Sequence, residues 1–252
     1  MRYALISDIH GNLPALQAVL RELDARGDID AVYHLGDLVG YAPWPNEVVE
    51  VLVRRGIPGV AGNYDSTVGT DYKHCGCKYE DPAQEALSHL SYGWTREHVT
   101  AETKRHLAGL PFRLDLRPLG GHVAGPRLIL VHGAPTLNTL YWTEGRDDDF
   151  CRKMIVVAGA QPGDVLAFGH THLPWHRVVD GVHLVNTGSV GRPKDGDRRA
   201  GYVTIGFSDA EATIEFRRVE YDVAKADAAI RSSGLPVEFA DFLVSGGTGR
   251  QA

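Results

Sequence analysis

Five short polar pieces, SDIHGN (7–12), LGDLVG (35–40), AGNYD (61–65), VHGAP (131–135) and FGHTHLP (168–174), stand where apolar, strand-like runs stop. No other feature of the chain constrains its fold as much. Asp, His and Asn at the C-terminal ends of successive strands act together only if those strands end on one rim, where open α/β sheets bind ligands. One piece alone carries little: with 20 Asp and 12 His, roughly one Asp-x-His is expected by chance. GHTH is rarer, and five such pieces in one chain form a pattern.

The elements between them support a layered fold. YALIS (3–7), AVYHL (31–35) and IPGVA (57–61) are strand runs, while Pro14–Ala25 and Glu47–Arg55 repeat apolar residues at helical spacing and stop near Gly27 and Gly56. Strand–helix–strand units imply parallel pairing. After residue 110 hairpins are expected. FRLDLRPL and RLILVHG flank a Gly-rich turn, HRVV and VHLVN flank Asp180-Gly181, and GYVTIGF and ATIEFRRV flank Ser208–Glu211. Further helices are expected over Pro82–Trp94, Ala101–Ala108, Asp222–Arg231 and Val237–Val244. Two mixed sheets packed face to face, with helices outside, would bury this many apolar strands. The expectation is one α/β domain over 1–244 and a flexible tail over 245–252.

Composition narrows the function. Apolar content of 43% and charged content of 23% are ordinary for a globular protein. A net charge of −6 without a Lys/Arg run disfavours non-specific binding to nucleic acid or acidic membranes. No stretch approaches the ~20 apolar residues of a membrane span, and the N-terminus lacks the pattern of a signal peptide. Cys75, Cys77 and Cys151 cannot all pair within one chain, which fits a reducing, cytoplasmic setting.

The polar pieces read as a two-metal site. In an extended segment residues i and i+2 share a side, which would set Asp8 beside His10 and His170 beside His172. Asp37 has two oxygens with which to bridge two ions. Asn63 offers an amide oxygen and His132 a further imidazole. Oxygen and imidazole donors without thiolate suit Mn, Fe, Co, Ni or Zn. Two such ions would draw in phosphate oxygens, lower the pKa of a trapped water and clamp an in-line displacement.

These five motifs, in this order, resemble the calcineurin-like metallophosphoesterase superfamily, above all its small bacterial and archaeal phosphodiesterase branch. The resemblance implies a four-layer αββα sandwich. It implies that Asp8, His10, Asp37 and His172 hold one divalent metal, and that Asp37, Asn63, His132 and His170 hold the second. It further implies that a metal-bridging hydroxide attacks the phosphorus of a small phosphorylated substrate, a nucleotide or another phosphodiester. NTGSVGRP (186–193) is similar to that branch's loop after the metal strands.

Two departures shape the expected activity. The family pattern GNH(D/E) becomes Gly62-Asn63-Tyr64-Asp65. The family's histidine there stabilises the transition state or protonates the leaving group. Tyr64 can donate a hydrogen bond but releases a proton reluctantly near neutrality, which points to activated diesters. His34 and His74 are conceivable stand-ins, though His34 reads more readily as a packed strand histidine. Protein phosphatases and dinucleoside tetraphosphatases of the superfamily carry phosphate-gripping arginines where this chain has Tyr41 and Ala61. Arg192 is the candidate replacement. The expected catalytic set is therefore His10, Asp37 and Tyr64, with Asn63, Tyr64 and Arg192 binding substrate. A phosphomonoesterase, a nucleotide-polyphosphate hydrolase and, from another class, a metal-stabilised scaffold remain alternatives. The last rests on the retromer scaffold subunit, which resembles this family and lacks the same histidine.

Other features have plainer readings. His74-Cys75-Gly76-Cys77 lacks the Cys-x2-Cys spacing of a zinc site, and Thr70–Asp81 around it reads as a loop, a lid or substrate-facing insertion. Tyr92, Trp94, Tyr141 and Trp142 read as packing rather than base-stacking aromatics. Asp147-Asp148-Asp149 reads as a solvated cap or turn.

Overall fold

The computed structural model describes residues 1–77, 81–117, 125–208 and 212–248. Among these residues the strands are β1 (Arg2–Ile6), β2 (Ala31–His34), β3 (Leu114–Leu116), β4 (Leu128–Leu130), β5 (Val165–Phe168), β6 (Trp175–Val179), β7 (Val182–Asn186), β8 (Ala200–Phe207) and β9 (Ala212–Val219). The helices are α1 (Leu13–Arg26), α2 (Pro45–Arg54), α3 (Asn63–Gly69), α4 (Pro82–His98), α5 (Ala101–Ala108), α6 (Asp148–Ala158), α7 (Val223–Ser232) and α8 (Glu238–Val244). The strands form two mixed sheets, one of order β2-β1-β8-β9 and one of order β3-β4-β5-β7-β6.

Alternation along each strand explains the layering. Tyr3 and Leu5 of β1, with Val203 and Ile205 of β8, pack on Leu128, Leu130, Val165, Ala167 and Val185 of the other sheet. Successive side chains point to opposite faces, so Ala4 and Ile6 pack outward under α1, α2, α7 and α8. In the second sheet Ile129, Leu166 and Phe168 pack outward against Cys151, Met154, Ile155 and Ala158 of α6. The result is the expected αββα sandwich of two mixed sheets between helices.

Several helix ends are legible in the sequence. Asn12 caps α1 by accepting from the Ala15 N–H at 3.2 Å, and Gly27 ends it at φ 67°. Asp147 caps α6 by accepting from the Phe150 N–H at 2.7 Å, so of the two readings of the acidic run the structure shows the cap.

Three expectations change. IPGVA (57–61) is not a ladder strand. It lies along β2 through His34 N–H to Pro58 O (3.0 Å) and Val60 N–H to His34 O (3.1 Å), and Pro58 has no N–H to extend the pairing. The second half is not hairpins alone: β4–β5 and β5–β7 are parallel, with α6 crossing between β4 and β5. The third expected hairpin, β8–β9, returns to the first sheet, where β8 pairs antiparallel with β1. The Gly-rich turn and the β8–β9 turn lie largely outside the described residues. Of the C-terminal segment, 249–252 also lies outside, whereas Gly246 O accepts from Gly196 N–H at 2.9 Å and Gly247 N–H donates to Phe242 O at 2.9 Å.

Candidate metal centre

Six of the seven metal-ligand candidates lie just past a strand end, Asn63 instead opening α3, and at five of them the backbone is bent rather than extended. Asp8 (φ 52°), His10 (φ 50°), Asp37 (φ 51°), His170 (φ 66°) and His172 (φ 61°) all adopt left-handed conformations. Asp, Asn and His tolerate this region better than most residues, yet five together are strain that the surroundings must hold. The two loops hold one another: Asp8 N–H donates to Gly36 O (3.0 Å), His10 N–H to Asp37 O (2.9 Å) and Gly11 N–H to Leu38 O (2.8 Å). The side chains of Asp8 and His10 do converge, as do those of His170 and His172. They do so through alternate left-handed residues, not through the pleat of a strand.

The seven side chains come together and are buried. Asp8, His10 and His172 form one group of donor atoms, and Asp37, His132 and His170 a second. Ring orientation is fixed from behind. His10 Nδ1 donates to Val39 O (3.0 Å), His132 Nδ1 to Leu35 O (2.7 Å) and His172 Nδ1 to Arg192 O (2.5 Å), turning each Nε2 lone pair inward. Two of those lone pairs, on His10 and His172, then face each other at 3.2 Å. Asp8 Oδ2 is taken by Ser7 Oγ (2.6 Å) and the His170 N–H (3.0 Å). Its Oδ1 is buried without a hydrogen-bond partner, 3.3 Å from His172 Nε2 and 3.8 Å from His10 Nε2. Asp37 Oδ1 accepts from the Tyr64 N–H at 2.9 Å, while Oδ2 lies 3.7 Å from His10 Nε2 and 3.5 Å from His132 Nε2.

The Asn63 amide has two orientations. With Oδ1 inward it faces His132 Nε2 at 3.2 Å, and Nδ2 donates outward to Cys77 Sγ (3.0 Å) and Cys75 O (3.4 Å). Turned over, Nδ2 would donate to His132 Nε2 (3.2 Å) and His170 Nδ1 (3.0 Å). A cation among these lone pairs favours the first, and so does a protonated His132, whose Nε2 can donate to Asn63 Oδ1. Acceptors converging on acceptors, with an orphaned carboxylate oxygen among them, are a cradle that suits two oxygen- and nitrogen-liking divalent cations.

Electrostatics agrees. Burial holds the His10 and His170 imidazoles down near about 3 and pushes His172 well below its ordinary value, so these rings stay neutral and able to ligate. Burial opposes charge on Asp37 too, but His132 beside it outweighs this and keeps the carboxyl below the usual range. For His132, burial is outweighed by Asp37, which raises the imidazole to about 9. A metal bound there must displace that proton.

Tyr64 stands at the start of α3 and lines the cleft over the ligand groups, a space of about 330 Å³. Its ring meets His10 edge-on (5.7 Å, 83°) and its hydroxyl lies 3.4 Å from Ser88 Oγ. Burial, then Tyr41, raises its pKa well above 10. Tyr41 stands at one of the two positions where the resemblance pointed to a phosphate-gripping arginine. Its ring supports the Arg192 guanidinium at 4.1 Å, so the chain brings an arginine to this cleft from another loop. His34 and His74 do not reach it. His34 is buried in the fold with both ring nitrogens unpartnered, and His74 Nδ1 accepts from the Gly76 N–H at 3.1 Å. Cys77 does line the cleft, as a substrate-facing loop would require.

Two residues were missed. Asp65 accepts from the N–H groups of Leu38 and Gly62, each at 2.9 Å, and so ties the Asp37 loop to the Asn63 helix. Its spacing from Gly62 is that of a capping box, the signal available in the sequence. Tyr141 was grouped with the packing aromatics, and for Trp142, stacked on Phe168 at 4.4 Å, packing is right. Tyr141 instead lies over His170 at 4.4 Å and walls the cleft.

The comparisons with known proteins point the same way. The family model described as calcineurin-like phosphoesterase superfamily domain matches residues 1–210. An uncharacterised protein of Methanocaldococcus jannaschii is 31% identical over 92% of this chain and 93% of its own. An Escherichia coli protein named a phosphodiesterase is 28% identical over 78% of this chain and 83% of its own. The crystal structure of a metallophosphoesterase from Sphaerobacter thermophilus superposes with a TM-score of 0.74 at 31% identity, covering 98% of this chain and 99% of that one.

Proposed function

The chain belongs to the calcineurin-like phosphoesterase superfamily, and from that premise we propose that it is a phosphodiesterase working with two divalent cations. Asp37 carries the reading: Oδ2 lies 3.7 Å from a ring nitrogen of one ligand group and 3.5 Å from one of the other. A carboxylate so placed can serve both cations. The name of the E. coli relative, a phosphodiesterase, supports diesters ahead of monoesters and nucleotide polyphosphates as the substrate class of this chain. Asp8, His10, Asp37 and His172 would hold one ion, and Asp37, Asn63, His132 and His170 the other. Mn, Fe, Co, Ni or Zn in these places would polarise phosphoryl oxygens and lower the pKa of an attacking water.

The protein's own groups do the rest. Ser7, Asp65 and the carbonyls of Leu35, Val39 and Arg192 hold the ligands in place. Asn63 and Tyr64 orient the scissile phosphate, while Arg192 faces the substrate from the loop after β7. Tyr64, protonated throughout the working range, gives a hydrogen bond rather than a proton, which suits leaving groups that depart unaided. A second reading, a metal-stabilised interaction module, draws on the Tyr64 hydroxyl lying 3.4 Å from Ser88 Oγ.

Metal-stripped protein reloaded with Mn, Ni, Fe or Zn decides between them. Metal-dependent turnover of bis(p-nitrophenyl) phosphate above p-nitrophenyl phosphate is the expected result, abolished in Asp37→Ala. Tight metal binding with turnover of neither ester would replace the enzyme by the module.

A further inference from the structure

Beside the ligand groups the cleft holds two cations that form no ion pair with an acid among the described residues. Arg192 and Lys194, on the loop after β7, both line it. The acids that follow in sequence are already occupied: Asp195 pairs with Arg218, and Asp197 with Arg199. The Arg192 guanidinium lies against two aromatic faces, Tyr41 at 4.1 Å and Phe242 at 3.9 Å. Stacking on its faces leaves its N–H edge for a planar, bidentate anion.

The loop is held in place by the turn after α8. Gly247 (φ 86°) lies so close that a Cβ there would come within 2.6 Å of Lys194 Cα and 2.8 Å of Pro193 O. Gly196 N–H donates to Gly246 O at 2.9 Å. Burial, then Arg192, lowers the Lys194 ammonium to about 8, so it remains largely charged at neutrality and gains from an approaching anion.

Charge decides what the cleft can take. Two divalent ions against Asp8 and Asp37 leave a surplus of two, and Arg192 and Lys194 double it. A simple phosphodiester brings a single negative charge, and its one phosphate is spoken for by the ligand groups.

We propose that Arg192 and Lys194 form a subsite for a second phosphate, making the preferred substrate a phosphodiester that carries a further phosphate near the scissile one. This rests on the phosphodiesterase reading above. Aromatic walls from Tyr41, Tyr141, Phe239 and Phe242 would flank the segment joining the two phosphates.

The test compares the p-nitrophenyl ester of thymidine 5′-phosphate with the same ester bearing a 3′-phosphate, and pyrophosphate with phosphate binding to Mn-loaded protein by calorimetry. The second phosphate should raise kcat/KM, and tighten binding, by about tenfold or more, the effect of one charge-assisted hydrogen bond. Lys194→Met should bring both ratios towards unity, and Lys194→Arg should restore them. A purely structural lysine would change both esters alike and leave the ratios intact, which overturns the subsite. If neither ester turns over but pyrophosphate binding still depends on Lys194, the subsite stands and the phosphodiesterase reading falls. If the esters turn over and no preference responds to Lys194, the reverse holds.

Discussion

Asp65 shows how much a single residue outside the ligand set can control. It is buried, accepts two backbone N–H groups and faces Asp37, and burial followed by Asp37 raises its pKa to about 7. Asp65→Asn must present an NH2 where an N–H now points at an oxygen. The expected cost is about 1–3 kcal/mol of stability, read by urea unfolding of the metal-free protein. Metal affinity, read by calorimetry, should fall as well, because the Asp37 loop loses its tie. Tyr64→Phe keeps the buried ring and removes only the hydroxyl. An enzyme using that hydroxyl should slow by a barrier of about 1–2 kcal/mol with its fold intact, whereas the interaction module would be indifferent. Gly62→Ala should disable the site outright, since a Cβ there would lie 2.1 Å from Asp37 Oδ1. Loss of metal binding with retained helical signal would be the signature.

Among the elements, strands and helices differ in how far they announce themselves. α1, α5, β6–β7 and β8–β9 follow from periodicity, caps and the Asp180-Gly181 turn. β5 and α6 do not. VLAF is a four-residue run buried on both sides, too short to tell strand from helix by pattern. Its importance is nonetheless testable. Phe168 is fully buried, stacked with Trp142 and in contact with Trp175 at 5.2 Å. Phe168→Ala should cost about 3–5 kcal/mol in chemical denaturation. A loss under 1 kcal/mol would mean that this outer layer collapses around the gap. Strand IPGVA failed for a local reason, the missing N–H of Pro58.

For the whole molecule the buried histidines predict an acid limit. Burial depresses His10, His34 and His170 to about 3, and His172 is lowered as well. An unfolded histidine takes its proton near ~6.5. Between about 6.5 and 3 the unfolded chain therefore binds more protons, and stability falls as pH falls, by up to ~1.4 kcal/mol per unit for each ring. Asp65 opposes this below about 7, one carboxyl against four imidazoles. His132 acts on the alkaline side. Its contribution is fully present below ~6.5 and is lost as pH rises towards about 9. Metal-free protein should thus be most stable near neutrality, as thermal unfolding across pH would register. A flat profile from 4 to 7 would contradict the burial of these rings. Mn at a hundredfold excess over its dissociation constant should add ~2.7 kcal/mol.

The sequence by itself determined the candidate ligand set and the layers. Both are written locally, as residue types at strand ends and as alternation along strands, and the burial of apolar faces leaves few ways to stack them. The tertiary structure decided how the ligands converge, because left-handed turns at Asp8, His10, Asp37, His170 and His172 are held only by hydrogen bonds between loops far apart in the chain. It also decided what surrounds the ligands. Tyr41, Arg192, Lys194 and Phe242 meet only when the loop after β7 and the turn after α8 close on each other, and no spacing within either segment encodes that meeting.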